Sequence, residues 1–194
     1  VAVVEQAADV AAGTSGRNSA VVHAGFNNRE GSLMAKLCVE GSQSFETLCR
    51  TIDVPYCRTG KYLLAFDEED RRILSELLSQ GKRNGVRGLR LLEQKELRSV
   101  LSQTGGICAL HSAETAITDP FLYTIALAET ACMNGVSFFF NSRVTEITSL
   151  AEGYRLRAGD KELETEYLVN AAGLSSGAIA EQLGVSGYHI YPCR

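Results

Sequence analysis

Residue types able to hold an anion crowd into one stretch, Ala12 to Gly25, which reads Ala-Gly-Thr-Ser-Gly-Arg-Asn-Ser-Ala-Val-Val-His-Ala-Gly. Three glycines, three hydroxyl side chains, one Arg, one Asn and one His in fourteen residues favour neither helix nor strand. Backbone N–H groups exposed by Gly and Ser, with a planar guanidinium beside them, suit a phosphate or pyrophosphate. Just upstream, Val1-Ala-Val-Val-Glu5 is an apolar run that closes on an acid. The second strand of a dinucleotide-binding βαβ unit ends this way, with its carboxylate placed for ribose hydroxyls. The competing readings are a polar surface loop and a solvated turn. Gly13, Gly16 and Gly25 within a small-residue run favour a ligand, because close backbone approach selects Gly.

Other candidate residues are fewer and weaker. His23, between Val22 and Ala24, reads by itself as a packed, hydrogen-bonded core residue more readily than as a base. His111 at a strand end and His189 before an apolar run read as structural. Asn170-Ala-Ala-Gly173 closes a strand without bulk, which suits either a flat cofactor or a tight strand-to-helix turn. Arg194 is either a solvent-exposed charge or an anion clamp. The six cysteines (38, 49, 57, 108, 132 and 193) form no CxxC and no metal-ligand spacing, so they read as buried thiols of a cytoplasmic protein. Cys38 and Cys49 fall on one face of an expected helix.

These residues need elements to position them. Gly31-Ser32 caps a helix from Leu33 to about Ile52, with Leu33, Leu37, Cys38, Phe45, Leu48, Cys49 and Ile52 at apolar spacing. Gly60–Phe66 reads as a buried strand, and Asp67 opens a charged helix that reaches Asn84-Gly85. A short strand (89–92), a short helix (93–101) and a strand (105–111) follow. Asp119-Pro120 starts a helix that runs to Asn134-Gly135. Strands are then expected at 136–140, 143–149, 154–157 and 164–170, with turns near Gly153 and Gly159-Asp160. Leu168–Gly173 reads as an apolar strand ending in small residues, Ser175 or Ser176 opens a helix to about Leu183, and another strand begins near the end of the chain.

The order predicts an α/β fold with an α+β insertion: a truncated Rossmann-like domain interrupted by a mixed-sheet substrate domain. The expected division is 1–56 and 141–187 in the nucleotide-binding domain, 57–140 mainly in the inserted domain, and 188–194 starting a substrate-domain strand. A net charge of −4 with interspersed signs supplies no basic footprint for nucleic acid. No apolar run approaches the roughly 20 residues of a membrane span. The first residue is Val inside a strand-like run, so the chain reads as a piece of a longer protein. A GxGxxG phosphate fingerprint belongs about twenty residues before the strand-end acid, ahead of Val1.

Taken together, Val-Val-Glu5, Gly13–Gly25, Gly31-Ser-Leu-x-Ala-Lys-Leu-Cys-Val-Glu-Gly41, Gly60-Lys61, Asp119-Pro120, Asn170-Ala-Ala-Gly173 and Tyr191-Pro-Cys-Arg194 resemble the FAD-dependent oxidoreductases of the D-amino-acid oxidase superfamily. Within it the pattern is most similar to anaerobic-type glycerol-3-phosphate dehydrogenases, and L-2-hydroxyglutarate oxidases share much of it. The resemblance implies that Glu5 binds the adenosine ribose and that Thr14, Ser15, Arg17, Asn18 and Ser19 lie along the pyrophosphate and ribityl chain. It implies that Val144 offers its backbone to the adenine, and that Ala172 and Gly173 lie near pyrophosphate and flavin. It brings His23 to the isoalloxazine edge as a catalytic base and makes Arg194 a catalytic-site cation for the substrate's anionic group.

The implied reaction is oxidation of sn-glycerol 3-phosphate to dihydroxyacetone phosphate by hydride transfer to flavin. L-2-hydroxyglutarate oxidation is the alternative, since phosphate and carboxylate both suit Arg. An inactive structural module of a larger electron-transfer protein is a third reading, of another class. The implied partner is a small anionic hydroxy substrate, with the electron acceptor and a peripheral membrane association of the parent protein left open. The 194 residues alone are expected to bind FAD weakly or not at all and to turn nothing over.

Overall fold

Side chains that satisfy free backbone N–H groups start the long helices. In the computed structural model, which describes residues 1–187, 190 and 191, the order is β1 (Ala2–Val4), β2 (Val21–Val22), α1 (Leu33–Thr51), β3 (Tyr56–Cys57), β4 (Lys61–Ala65) and α2 (Glu68–Arg83). Then come β5 (Leu89–Glu93), α3 (Gln94–Val100), β6 (Cys108–Ser112), β7 (Ala116–Thr118), α4 (Pro120–Met133), β8 (Ser137–Phe139), β9 (Val144–Ser149), β10 (Tyr154–Ala158), β11 (Lys161–Thr165) and α5 (Ser176–Glu181). Ser32 Oγ accepts the Ala35 N–H at 3.1 Å to open α1, and Asp67 Oδ1 accepts that of Asp70 at 2.8 Å to open α2. Asp119 Oδ1 accepts from both Phe121 and Leu122 ahead of Pro120 in α4. Gly85 and Gly135, both at positive φ, follow the Asn residues that end α2 and α4.

Chain contacts group residues 19–126 into one compact unit and residues 1–18 with 127–194 into another. In the first, β4, β6 and β5 form an antiparallel sheet in that order, and β2, β7 and β3 form a second one. Strand alternation sorts the first sheet's residues onto two faces. Ala65, Cys108 and Leu110 pack with Leu74 of α2, while Leu92 and Ala109 pack with Leu97 of α3. The His111 ring stacks on Tyr62 with centroids 4.5 Å apart.

Helix α1 matches its predicted span, and its predicted face holds at Cys38, Phe45, Leu48, Cys49 and Ile52 but not in the first two turns. Ala35, Val39, Ser42 and Cys49 are buried, whereas Leu33 and Leu37 are 69% and 54% exposed. A smaller stripe wins because the neighbouring backbone comes close at Gly25, where a Cβ would stand 2.9 Å from Val39 Cγ2.

The other unit pairs β1 with β8 in parallel and runs β9, β10 and β11 as an antiparallel meander. The two-residue turn Gly159-Asp160 joins the last two strands, with Gly159 at φ +62°. Two expectations fail here. The strand read at 164–170 is instead β11 at Lys161–Thr165, because the tight turn places Lys161 opposite Ala158. Leu168–Gly173 is not a strand: among the described residues it has no ladder partner, and Val169 is 85% exposed. An isolated apolar run cannot satisfy its backbone groups as a strand without a neighbour. The strand expected from 188 onward, with His189 and Arg194, lies outside the described residues.

Candidate functional site

Glu5 sits where β1 ends. Its N–H donates to Phe139 O at 2.9 Å and its carbonyl accepts from Ser142 N–H at 2.9 Å, which ties the strand end to the segment between β8 and β9. The Ala7 carbonyl accepts from Asn141 N–H at 2.8 Å, extending the tie. One carboxylate oxygen, Oε1, of this half-buried group accepts the Ala7 N–H at 2.8 Å, and Oε2 has no hydrogen-bond partner among the described residues. Val144 begins β9 two residues beyond Ser142. Thr145 is an extra residue there: Arg157 pairs with Glu146 and Ala158 with Val144, a bulge that re-aims the strand start.

Thr14–Gly16 form one turn of 3-10 helix rather than an open loop. Arg17 N–H donates to Thr14 O, the Arg17 guanidinium to Ala12 O, and the Asn18 amide to Ser15 O at 2.9 Å. Thus Arg17 and Asn18 close the turn on itself, while Thr14, Ser15, Arg17, Asn18 and Ser19 all stay exposed. A Cβ at Gly13 would meet nothing within 4 Å, so no protein neighbour demands glycine there. That leaves room for an external group to approach the backbone. Ala11, just before the turn, is buried at φ +59°, a conformation costly for an alanine. The 170–173 segment is similar. Asn170 accepts the Ala172 N–H and donates to Ser176 O at 2.8 Å, and Gly173, at φ +54°, has open space where a Cβ would lie. Glu5, Val144, Thr14–Asn18 and Ala172-Gly173 all belong to the unit of residues 1–18 and 127–194. An acid at a strand end, glycine backbones open to approach and short polar side chains are groups chemically suited to a dinucleotide.

Ser19 and His23 belong to the unit of residues 19–126. His23 directly follows β2, and its side chain is exposed, not packed in a core as its apolar neighbours suggested. Alternation explains this: Val22 and Ala24 take the buried side, and the residue between them faces out. The His23 carbonyl accepts the Cys38 S–H at 3.2 Å. Burial pushes the Cys38 thiol up, with the Asn28 side chain opposing it. Gly25 has φ +96° and packs on Val39, so its glycine serves chain reversal against α1. Beyond Gly25, α2 contributes two amides: Gln80 Nε2 donates to Phe26 O, and Asn84 Nδ2 donates to the carbonyls of Gly25 and Asn28. Sequence reading took Asn84 only as a helix stop; an Asn just before a terminating Gly was the one available signal. Arg194, the expected anion clamp, lies outside the described residues.

Among the described residues no His, Cys, Asp or Glu cluster could hold a metal ion, and no helix is long and apolar enough to cross a membrane.

Comparison with known proteins gives the family. The family model described as DAO, FAD dependent oxidoreductase, matches residues 1–194. A glycerol 3-phosphate dehydrogenase of Caloramator mitchellensis is 36% identical over 199 residues, covering 100% of this chain and 41% of that protein. An L-2-hydroxyglutarate dehydrogenase of Indibacter alkaliphilus is 31% identical over 181 residues, covering 93% and 45%. The chain thus spans less than half the length of these curated relatives. Among solved structures, the FAD-bound L-alpha-glycerophosphate oxidase of Mycoplasma pneumoniae superposes with a TM-score of 0.85 at 23% identity, over 93% of this chain and 50% of that one. Glycine oxidase of Geobacillus kaustophilus gives 0.85 at 18% identity, over 95% and 52%. Both likenesses show the fold, a mixed α/β architecture with parallel and antiparallel sheets.

Proposed function

Because this chain belongs to the DAO family of FAD-dependent oxidoreductases, we propose that the protein it comes from oxidises the secondary alcohol of sn-glycerol 3-phosphate to dihydroxyacetone phosphate. The observation that carries the substrate is the 36% identity, along the whole chain, to a glycerol 3-phosphate dehydrogenase. In this reading residues 1–56 and 141–187 serve the FAD-binding domain and 57–140 mainly the substrate domain. Glu5 holds the adenosine ribose through its carboxylate, and Val144 presents its backbone to the adenine. Thr14, Ser15, Arg17, Asn18 and Ser19 line the pyrophosphate and ribityl chain, with Ala172 and Gly173 near pyrophosphate and flavin. The open glycine backbones at 13 and 173 support this placement.

Bound FAD supplies the two-electron acceptor that the protein itself lacks. The chain's own part is a proton. The substrate C2 loses hydride and its hydroxyl loses H⁺; His23, exposed and with no ring partner among the described residues, takes that proton on an imidazole nitrogen. Arg194 supplies a guanidinium for the substrate's anionic group. In this reading the protein works in the cytoplasm, with the electron acceptor and a peripheral membrane association of the parent left open.

A second reading has its own support: the Indibacter relative is an L-2-hydroxyglutarate dehydrogenase, also a secondary alcohol beside an anion. Anaerobic bleaching of the flavin absorbance in the full-length protein separates the two. Bleaching by glycerol 3-phosphate and not by L-2-hydroxyglutarate is the expected result; the reverse result replaces the substrate, and bleaching by neither removes both readings. His23→Ala should slow the bleaching by about 10²-fold, and unchanged kinetics would exclude His23 as the base.

A further inference from the structure

The turn that carries His23 is held by a helix far away in sequence. After β2 the chain reverses at Gly25 and enters the core at Phe26. A reversal of this kind leaves carbonyls without ladder partners, and each buried one needs a donor. Side chains supply most of them, and the Asn28 N–H adds a 3.4 Å bond to Gly25 O. Cys38 of α1 donates to His23 O, and Gln80 of α2 donates to Phe26 O at 3.1 Å. Asn84 does more: its single Nδ2 reaches Gly25 O at 3.0 Å and Asn28 O at 2.8 Å, two carbonyls three residues apart. One amide group therefore staples the reversal shut from both sides.

The helix is built for this approach. At Gly81 a Cβ would stand 2.7 Å from Phe26 Cβ and 2.4 Å from Leu89 Cδ1, so α2 lies as close to the turn as glycine permits. Nor does α2 need the Asn84 side chain to end: the Asn84 N–H already bonds to Gln80 O, and Gly85 follows at φ +84°. The amide is free to serve the turn. His23 has no ring partner among the described residues, so its aim is inherited from the backbone between Val22 and Gly25.

We infer that Asn84 is a positioning residue for His23, acting through the carbonyls of Gly25 and Asn28 and touching neither substrate nor cofactor. This rests on the reading of His23 as the base. Asn84→Asp keeps the shape and removes both donors; it should loosen the turn and misplace the imidazole.

The test uses the full-length flavoprotein in two measurements. Amide hydrogen exchange should rise about tenfold across residues 22–28 in Asn84→Asp, while α3 and the β9–β11 meander keep their protection. Stopped-flow flavin reduction, with glycerol 3-phosphate and L-2-hydroxyglutarate offered separately, should slow about 10- to 100-fold with substrate affinity little changed. In a His23→Ala background the same substitution should slow reduction no further, since the group it positions is gone. Full-speed reduction, equal slowing in both backgrounds, or unchanged exchange at 22–28 overturns the inference. A His23→Ala enzyme that reduces normally removes the base reading and this inference with it, as does a flavin that neither substrate reduces. Should Asn84→Asp fail to fold, Asn84→Ala meets the same criteria without an added charge.

Discussion

The two compact units handle apolar surface differently. In residues 19–126, Ala65, Leu92, Leu97, Cys108, Ala109 and Leu110 are wholly buried between one antiparallel sheet and the helices on its two faces. In residues 1–18 and 127–194 the meander buries only Ile147, Leu156 and Ala158, and both units leave large apolar side chains facing outward: Leu33, Met34 and Phe66 in the first, Met133, Tyr167 and Val169 in the second. The parallel pair β1–β8 sharpens the contrast, because parallel strands ordinarily lie in sheets covered on both faces. A unit that closes its own core stands by internal packing. The other unit closes a smaller core, and in the proposed reading a bound cofactor adds to its stability.

Three measurements on the 194-residue chain would break or sharpen this contrast. The largest effect belongs to Leu110→Ala, which empties a fully buried position and should cost about 3 kcal/mol in urea unfolding; a loss below about 1 kcal/mol would mean that the core is not closed there. A smaller, pH-limited effect belongs to His111. Burial first, and then the nearby Arg90 charge, hold its imidazole below the ordinary histidine value. The unfolded chain therefore binds more protons between the two pKa values, and stability rises with pH across that window. The contribution is whole above the unfolded value near 6.5 and is lost as pH falls toward the depressed folded value. His111→Gln should flatten that part of the pH–stability curve; an unchanged slope would assign it to other groups. The smallest effect belongs to Val169→Ser, which should change stability by less than about 0.5 kcal/mol at an 85% exposed position. A cost comparable to that of Leu110→Ala would erase the distinction between the units.

Legibility follows the same line. Helix starts at Ser32, Asp67 and Asp119 were readable because a cap and the N–H it accepts lie two or three residues apart. The turn at Gly159-Asp160 was readable for the same reason. The polar content of Thr14–Ser19 marked a ligand loop, but not that Arg17 and Asn18 turn inward to close it. Leu168–Gly173 misled, since apolar composition says strand and only a neighbour can make it one. The start of α1 differed too, because Leu33 and Leu37 looked more apolar than the Ala35–Val39 stripe that Gly25 admits.

By itself, then, the amino-acid order determined the local matters: helix ends, tight turns, an acid closing β1, and a loop of types suited to an anion. These depend on residues within a few positions of one another. Only the tertiary structure decided that His23 faces outward, that Glu5 is tied to Phe139 and Ser142, and that Asn84 staples a turn 56 residues before it. Those depend on which surfaces meet. Close packing settles such meetings through the whole unit at once, beyond the reach of any short window of sequence.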